Sequence, residues 1–158
     1  GHLGVRALRD GLEPLERIGN RSYSPTVALT LARVLYEEGR VDEVRPLCET
    51  ALATTEPDDV VNFVFVDAIE GCMLAREGSF AEAEARCRRA VERTAPIDFF
   101  EGRAMARQFL AEALARAGDT TEAVQVAEEA LAIREAKGDV TGAARVREAF
   151  ERLELSVA

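Results

Sequence analysis

Three glycines set the register of this chain. Gly39, Gly78 and Gly118 fall 39 and 40 residues apart, and twelve residues after each comes a small residue followed by an aliphatic one: Ala51-Leu52, Ala90-Val91 and Ala130-Leu131. One period before Ala51 stands Gly11-Leu12, a pair of the same kind. Asn20, Asp58, Asp98 and Asp139, each able to cap a helix N-terminus, keep the same rhythm. A period of this length means stacked supersecondary units, because one unit cannot bury its apolar face alone.

Each unit divides at its glycine into two helices, A and B. In the first unit, helix A is expected over about 26–38 and helix B over about 42–55, with Asp42 as the cap of B. Pro46 falls in the first turns of B, where a missing N–H costs least. Ala, Leu, Glu and Arg dominate these segments and favour helix. Residues 1–2 read as a tag remnant and 3–158 as one all-α solenoid of antiparallel helix pairs. Within it, 3–20 form a half repeat, 21–57, 58–97 and 98–138 three full repeats, and 139–155 a terminal helix.

Composition narrows the function. At 158 residues and 47% hydrophobic content the chain can bury a real core. A formal charge of −9 argues against nucleic acid and anionic membrane surfaces, since both need clustered Lys and Arg. No apolar run reaches the roughly 18–20 residues of a membrane helix. Three cysteines without CxxC spacing, and no leader at the start, point to a reduced, cytoplasmic setting. His2 is the single histidine and belongs to the tag remnant, and no P-loop, Ser-His-Asp or zinc spacing occurs. No catalytic residue, metal ligand or cofactor is expected.

The most apolar stretch, residues 63–78, holds Asp67 and Glu70 three residues apart, on one side of a helix. Catalysis or metal binding would need a partner such as histidine, which the repeats do not supply. The register places Asp67 and Arg107 at equivalent positions of adjacent A helices, so they either pair with each other or both lie in solvent. Phe63, Val64, Phe65, Val66, Ile69, Met73 and Leu74 cover more than one stripe. This helix is therefore either the central one, flanked on both sides, or it exposes a patch for a partner or second copy. Cys48 and Cys87 share one repeat position and read as small core residues.

The pattern of Leu31, Ala32, Leu35, Gly39, Val44, Cys48 and Ala51 resembles the tetratricopeptide repeat. So do Gly71, Leu74, Gly78, Phe80, Ala83, Cys87 and Ala90, and Leu110, Ala111, Leu114, Gly118, Ala123, Ala127 and Ala130. Two features depart from that family: the period exceeds its usual length, and Ala28, Asp67 and Arg107 stand where an early aromatic is usual. Long repeats of this kind are similar to those at the C-terminal ends of multidomain bacterial regulators.

The resemblance implies a right-handed superhelix whose concave, A-helix groove binds a protein or peptide. The groove positions carried over are Arg33, Tyr36 and Glu37; Phe65, Cys72 and Arg76; and Met105, Gln108, Glu112 and Arg116. Arg76 and Arg116 stand in register and could hold a carboxylate, or could simply be solvated. The function implied is a non-catalytic interaction module of a larger cytoplasmic regulator, binding a peptide or helix in the groove or self-associating as a homodimer. The alternative is a small-ligand or signalling-peptide sensor that relays to a fused effector.

Overall fold

The computed structural model describes residues 2–20 and 23–155, with side chains from Gly4 onward. Among the described residues the chain forms eight α-helices and no strand: α1 (His2–Arg17), α2 (Ser24–Glu37), α3 (Val44–Thr54), α4 (Val60–Arg76), α5 (Phe80–Arg93), α6 (Phe100–Ala117), α7 (Thr120–Ala136) and α8 (Val140–Glu151). Helices α2/α3, α4/α5 and α6/α7 form hairpins, with α2, α4 and α6 packed side by side as the A layer. Helix α1 packs on α2 as a lone B helix, and α8 packs on α7. The "NFVFV" run, strand-like by alternation, is helical within α4.

The three register glycines close the A helices. Gly39, Gly78 and Gly118 have φ of 78°, 86° and 93°, a left-handed conformation that a side chain disfavours. The chain then reverses through bonds such as Gly118 N–H to the Ala115 carbonyl (3.1 Å) and Asp119 N–H to the Leu114 carbonyl (3.0 Å). Small residues follow on the B helices so that the pair can close: Cys48, Ala51, Ala83, Cys87, Ala90, Ala123, Ala127 and Ala130 are all buried. The cysteines are thus core residues, and burial pushes the Cys48 thiol up to about 12.

Helix starts follow the expected rhythm with local corrections. Asp139 caps α8, its Oδ1 accepting from Gly142 N–H at 2.8 Å. The cap of α4 is Asp59 rather than Asp58; it accepts from Asn62 N–H at 3.1 Å, and its second oxygen accepts from Asn62 Nδ2 at 2.7 Å. Asp98 does not cap α6. Phe99 occupies that position, and its ring lies over Gly102, where any Cβ would stand 2.3 Å from the ring. Ring packing there displaces carboxylate capping. Asp42 does not cap α3 either, because Val41–Glu43 form a 3₁₀ turn that runs directly into the helix. Asn20 Oδ1 accepts from Tyr23 N–H (2.9 Å) just before α2. Asp119, which the period alone did not single out, caps α7 through Glu122 N–H at 3.1 Å.

The Gly142 N–H, aided by the Arg134 guanidinium 2.7 Å away, holds the Asp139 carboxyl below the usual carboxylate range. The charged form is favoured by folding, so its contribution is complete above the unfolded value of roughly 4 and fades as pH falls below it. Asp139→Ala is expected to cost about 1–2 kcal/mol at pH 7. Urea melts across pH should show the gap between wild type and variant shrinking below about pH 4; a gap constant with pH would refute the cap's electrostatic part.

Helix α4 occupies the centre, packed against α2, α5 and α6. Val64, Phe65, Val66, Ile69 and Met73 are buried, and Phe63 and Leu74 are half-buried. Its many apolar faces are therefore core rather than an open patch. Helix α3, in contrast, meets α4 only sparingly.

Asp67 and Arg107 do not meet. Asp67, 5% exposed, accepts from Arg89 Nε (2.8 Å) and Nη2 (2.5 Å) and from Arg93 Nε (3.0 Å), all on α5. Arg107 donates from Nε to Glu129 on α7 at 3.0 Å. Both side chains turn toward the B helix of their own hairpin, so equivalence in register did not make them partners. Burial also excludes the solvated reading for Asp67. Glu70 pairs with Arg86 of the same hairpin.

Candidate functional site: a polar cleft at the ends of the A helices

Near the C-terminal ends of α2, α4 and α6 the chain encloses a cleft of about 290 Å³. Tyr36, Glu37, Arg76, Gln108, Phe109, Glu112 and Arg116 line it from the A layer, and Ala149, Arg152 and Leu153 line it from the end of α8. The glycine-terminated A helices position these groups, because each helix ends at the same level of the repeat.

A hydrogen-bonded network spans the three A helices. Tyr36 hydroxyl donates to Glu112 Oε1 at 2.6 Å and accepts from Arg76 Nε at 3.0 Å. Arg116 Nε donates to the same Glu112 oxygen at 3.0 Å. The Arg76 guanidinium also lies 4.7 Å from the Tyr36 ring centroid, within cation–π range. Below, Phe109 meets Tyr36 edge to face at 5.5 Å between centroids, and its carbonyl accepts from Cys72 Sγ at 3.2 Å.

Burial pushes the Tyr36 phenol upward, with further contributions from nearby Cys72 and Glu112. It stays protonated and acts as a donor. Burial likewise raises the Cys72 thiol, the reverse of what a reactive cysteine needs. Burial opposes the charged form of Arg76, but the Tyr36 hydrogen bond together with electrostatic attraction to Tyr36, Glu112 and Cys72 outweighs it, and the net shift is upward. Among the described residues, no group of three or more His, Cys, Asp or Glu could hold a metal ion.

Of the ten groove positions read from the sequence, the cleft brings together Tyr36, Glu37, Arg76, Gln108, Glu112 and Arg116. Cys72 lies buried beneath them. Arg33 is half-buried and donates to Glu37 at 2.9 Å, one turn behind the rim. Phe65 and Met105 belong to the core; the Phe65 ring sits 6.4 Å from Phe99. Even within the cleft, Tyr36 is 2% and Glu112 8% exposed, so a partner would meet chiefly the rim. Sequence reasoning missed the wall from α8. The signal was available: one further step of 40 residues from Glu112 lands on Arg152.

The fold is an all-α helical repeat built from antiparallel helix pairs. Residues 106–141, covering most of α6, all of α7 and the start of α8, match the family model described as Tetratricopeptide repeat. With the repeated hairpins around it, this match supports a tetratricopeptide-repeat domain. No curated protein and no solved structure gives a significant match to the chain. Tetratricopeptide repeats generally mediate protein–protein interaction and form a fold that is generally non-catalytic. No helix among the described residues is long and apolar enough to cross a membrane.

Proposed function

We propose that this chain is a protein–protein interaction module that takes a peptide or helical segment of its partner at the cleft between the A-helix ends and α8. The observation that supports this reading is the fixed polar network from Tyr36 through Glu112 to Arg76 and Arg116. It presents oriented groups at a concavity, the arrangement that favours binding with little loss of side-chain freedom. The resemblance of the long repeats to bacterial regulators supports a place within a larger cytoplasmic regulatory protein.

Selecting peptides from a random display library against the chain, then mapping them by amide NMR, tests this. Binders are expected to shift the resonances of Gly39, Arg76, Gln108 and Arg116. Binders that shift only the outer faces of α3, α5 and α7 would overturn the cleft as the binding surface.

A further inference from the structure

Helices α1 and α3 both pack on α2 and stand apart from each other, which leaves a furrow of about 440 Å³ on the B-helix side of the molecule. Its floor is apolar: Leu12 and Leu31 are buried, Leu47 is half-buried and Pro46 is exposed. Register makes this open apolar floor particular to the first hairpin. Leu31 and Leu47 correspond to Glu70 and Arg86 one period on, which pair with each other, and to Leu110 and Val126 a further period on, which are both buried. The walls of the furrow are acidic, with Glu13 and Glu16 on α1 and Asp42 and Glu43 in the turn that opens α3, against one lining base, Arg9. Glu13 pairs with Arg17, and Glu43 with Arg9 and Arg40. Glu16 and Asp42, one on each wall, are exposed and make no ion pair among the described residues.

We infer that this furrow is a second docking surface, separate from the cleft, and that its occupant is a short basic amphipathic helix of a partner protein. Apolar side chains of that helix sit over the floor at Leu31 and Leu47, while Lys or Arg on its flanks reach Glu16 and Asp42. The floor calls for apolar anchors, because covering Leu47 and Pro46 removes their remaining surface from water. The uncommitted charge on the walls is negative, so a basic partner gains on both sides, and the chain's net charge of −9 steers it in. The same field disfavours a second copy of this chain, and nucleic acid as well. From Arg9 to Glu16 the furrow runs about 10 Å, two turns of helix, and the Arg9–Glu43 pair bridges its walls at the Arg9 end. Beyond Glu16 a second hollow continues it past Thr50 and Thr54. That length suits the stripe of apolar residues, three or four apart, by which a helix docks in a groove.

The test uses the full chain as bait for a display library of helical peptides, with counter-selection against the variant Glu16→Gln/Asp42→Asn. Neither substituted side chain makes an ion pair among the described residues, so the variant keeps the fold, which an unchanged melting curve verifies. Surviving peptides are expected to carry net positive charge and an apolar stripe, and to shift the amide resonances of Leu12, Leu31 and Leu47. By fluorescence anisotropy each should bind the wild type roughly tenfold or more tighter than the variant, and lose about as much when its Lys and Arg become Gln. Raised salt should narrow both differences. Furrow-binding peptides that are neutral or acidic would overturn the basic partner. Basic peptides that bind equally well after their apolar residues are replaced by Ser would overturn the apolar floor as the anchor. Furrow resonances that move on dilution of the chain alone would mean that a second copy covers the surface, and the inference would fall. A selection that placed no peptide at the furrow would also overturn it, while peptides from that same selection that shift Arg76, Gln108 and Arg116 would leave the cleft reading standing.

Discussion

Phe109→Ala is expected to cost about 3–5 kcal/mol, the largest loss from any single truncation considered in this fold. The ring is fully buried, forms the floor of the cleft, and meets Tyr36 edge to face at 5.5 Å. Its loss removes both apolar burial and the surface that keeps Tyr36 in line with Glu112. The neighbours cannot collapse freely into the cavity, because Tyr36 is tied by hydrogen bonds to α4 and α6 at once. Urea denaturation followed by far-UV circular dichroism measures this, with an unchanged slope showing that stability alone has moved. Phe109→Leu, which keeps most of the volume, should cost less than about 1.5 kcal/mol. A cost below 1 kcal/mol for the alanine variant would show that the ring does not organise the A-helix ends.

Gly71→Ala is expected to destabilise the protein although it adds a better helix former to the middle of α4. A Cβ at this position would lie 2.4 Å from Cys87 Sγ and 3.1 Å from the Ala83 carbonyl oxygen. Neither neighbour yields easily: Cys87 is a short, fully buried side chain, and the second contact is backbone of α5. Helix propensity returns roughly 1 kcal/mol, and forced separation of two packed helices costs up to about 3 kcal/mol. A net loss of about 2 kcal/mol follows, or roughly 4–8 °C in melting temperature for a chain of this size. The double variant Gly71→Ala/Cys87→Ala removes the nearest clash, so a thermodynamic cycle should give a coupling of about 1 kcal/mol or more in the restoring direction. A cycle with no coupling would mean that the Ala83 carbonyl, not the thiol, limits the approach of α4 and α5.

Much of the fold could be read from spacing alone. Gly39, Gly78 and Gly118 locate the A-helix ends because each needs a positive φ, a demand that the sequence states openly through its residue type. The small residues where the two helices of a hairpin meet could be read for the same reason: Gly71 of α4 and Cys87 of α5 are small because they touch. Pairing could not be read in this way. Register tells which residues are equivalent, and equivalence places Asp67 and Arg107 side by side in an alignment, but the direction of each side chain depends on helix rotation. The correct partners were at a constant offset within the second and third hairpins, Asp67 with Arg89 and Arg107 with Glu129, both 22 residues on. The cleft was half legible. Its A-helix residues follow from the repeat, whereas the wall formed by Ala149, Arg152 and Leu153 depends on where α8 comes to rest relative to α2.

Those two hairpin pairs carry opposite signs, acid on α4 and base on α5, then base on α6 and acid on α7. A chain of near-identical helix hairpins faces a hazard during folding: helix B of one unit can close on helix A of another, and the small-residue faces alone would accept the exchange. Here the exchange would set Arg89 against Arg107 and leave Asp67 facing Glu129. With Asp67 largely shut from solvent, the second of these would press one carboxylate against another where little water screens them. The alternation of sign thus acts as an address label on these two hairpins, penalising the wrong closure relative to the right one once Asp67 is buried.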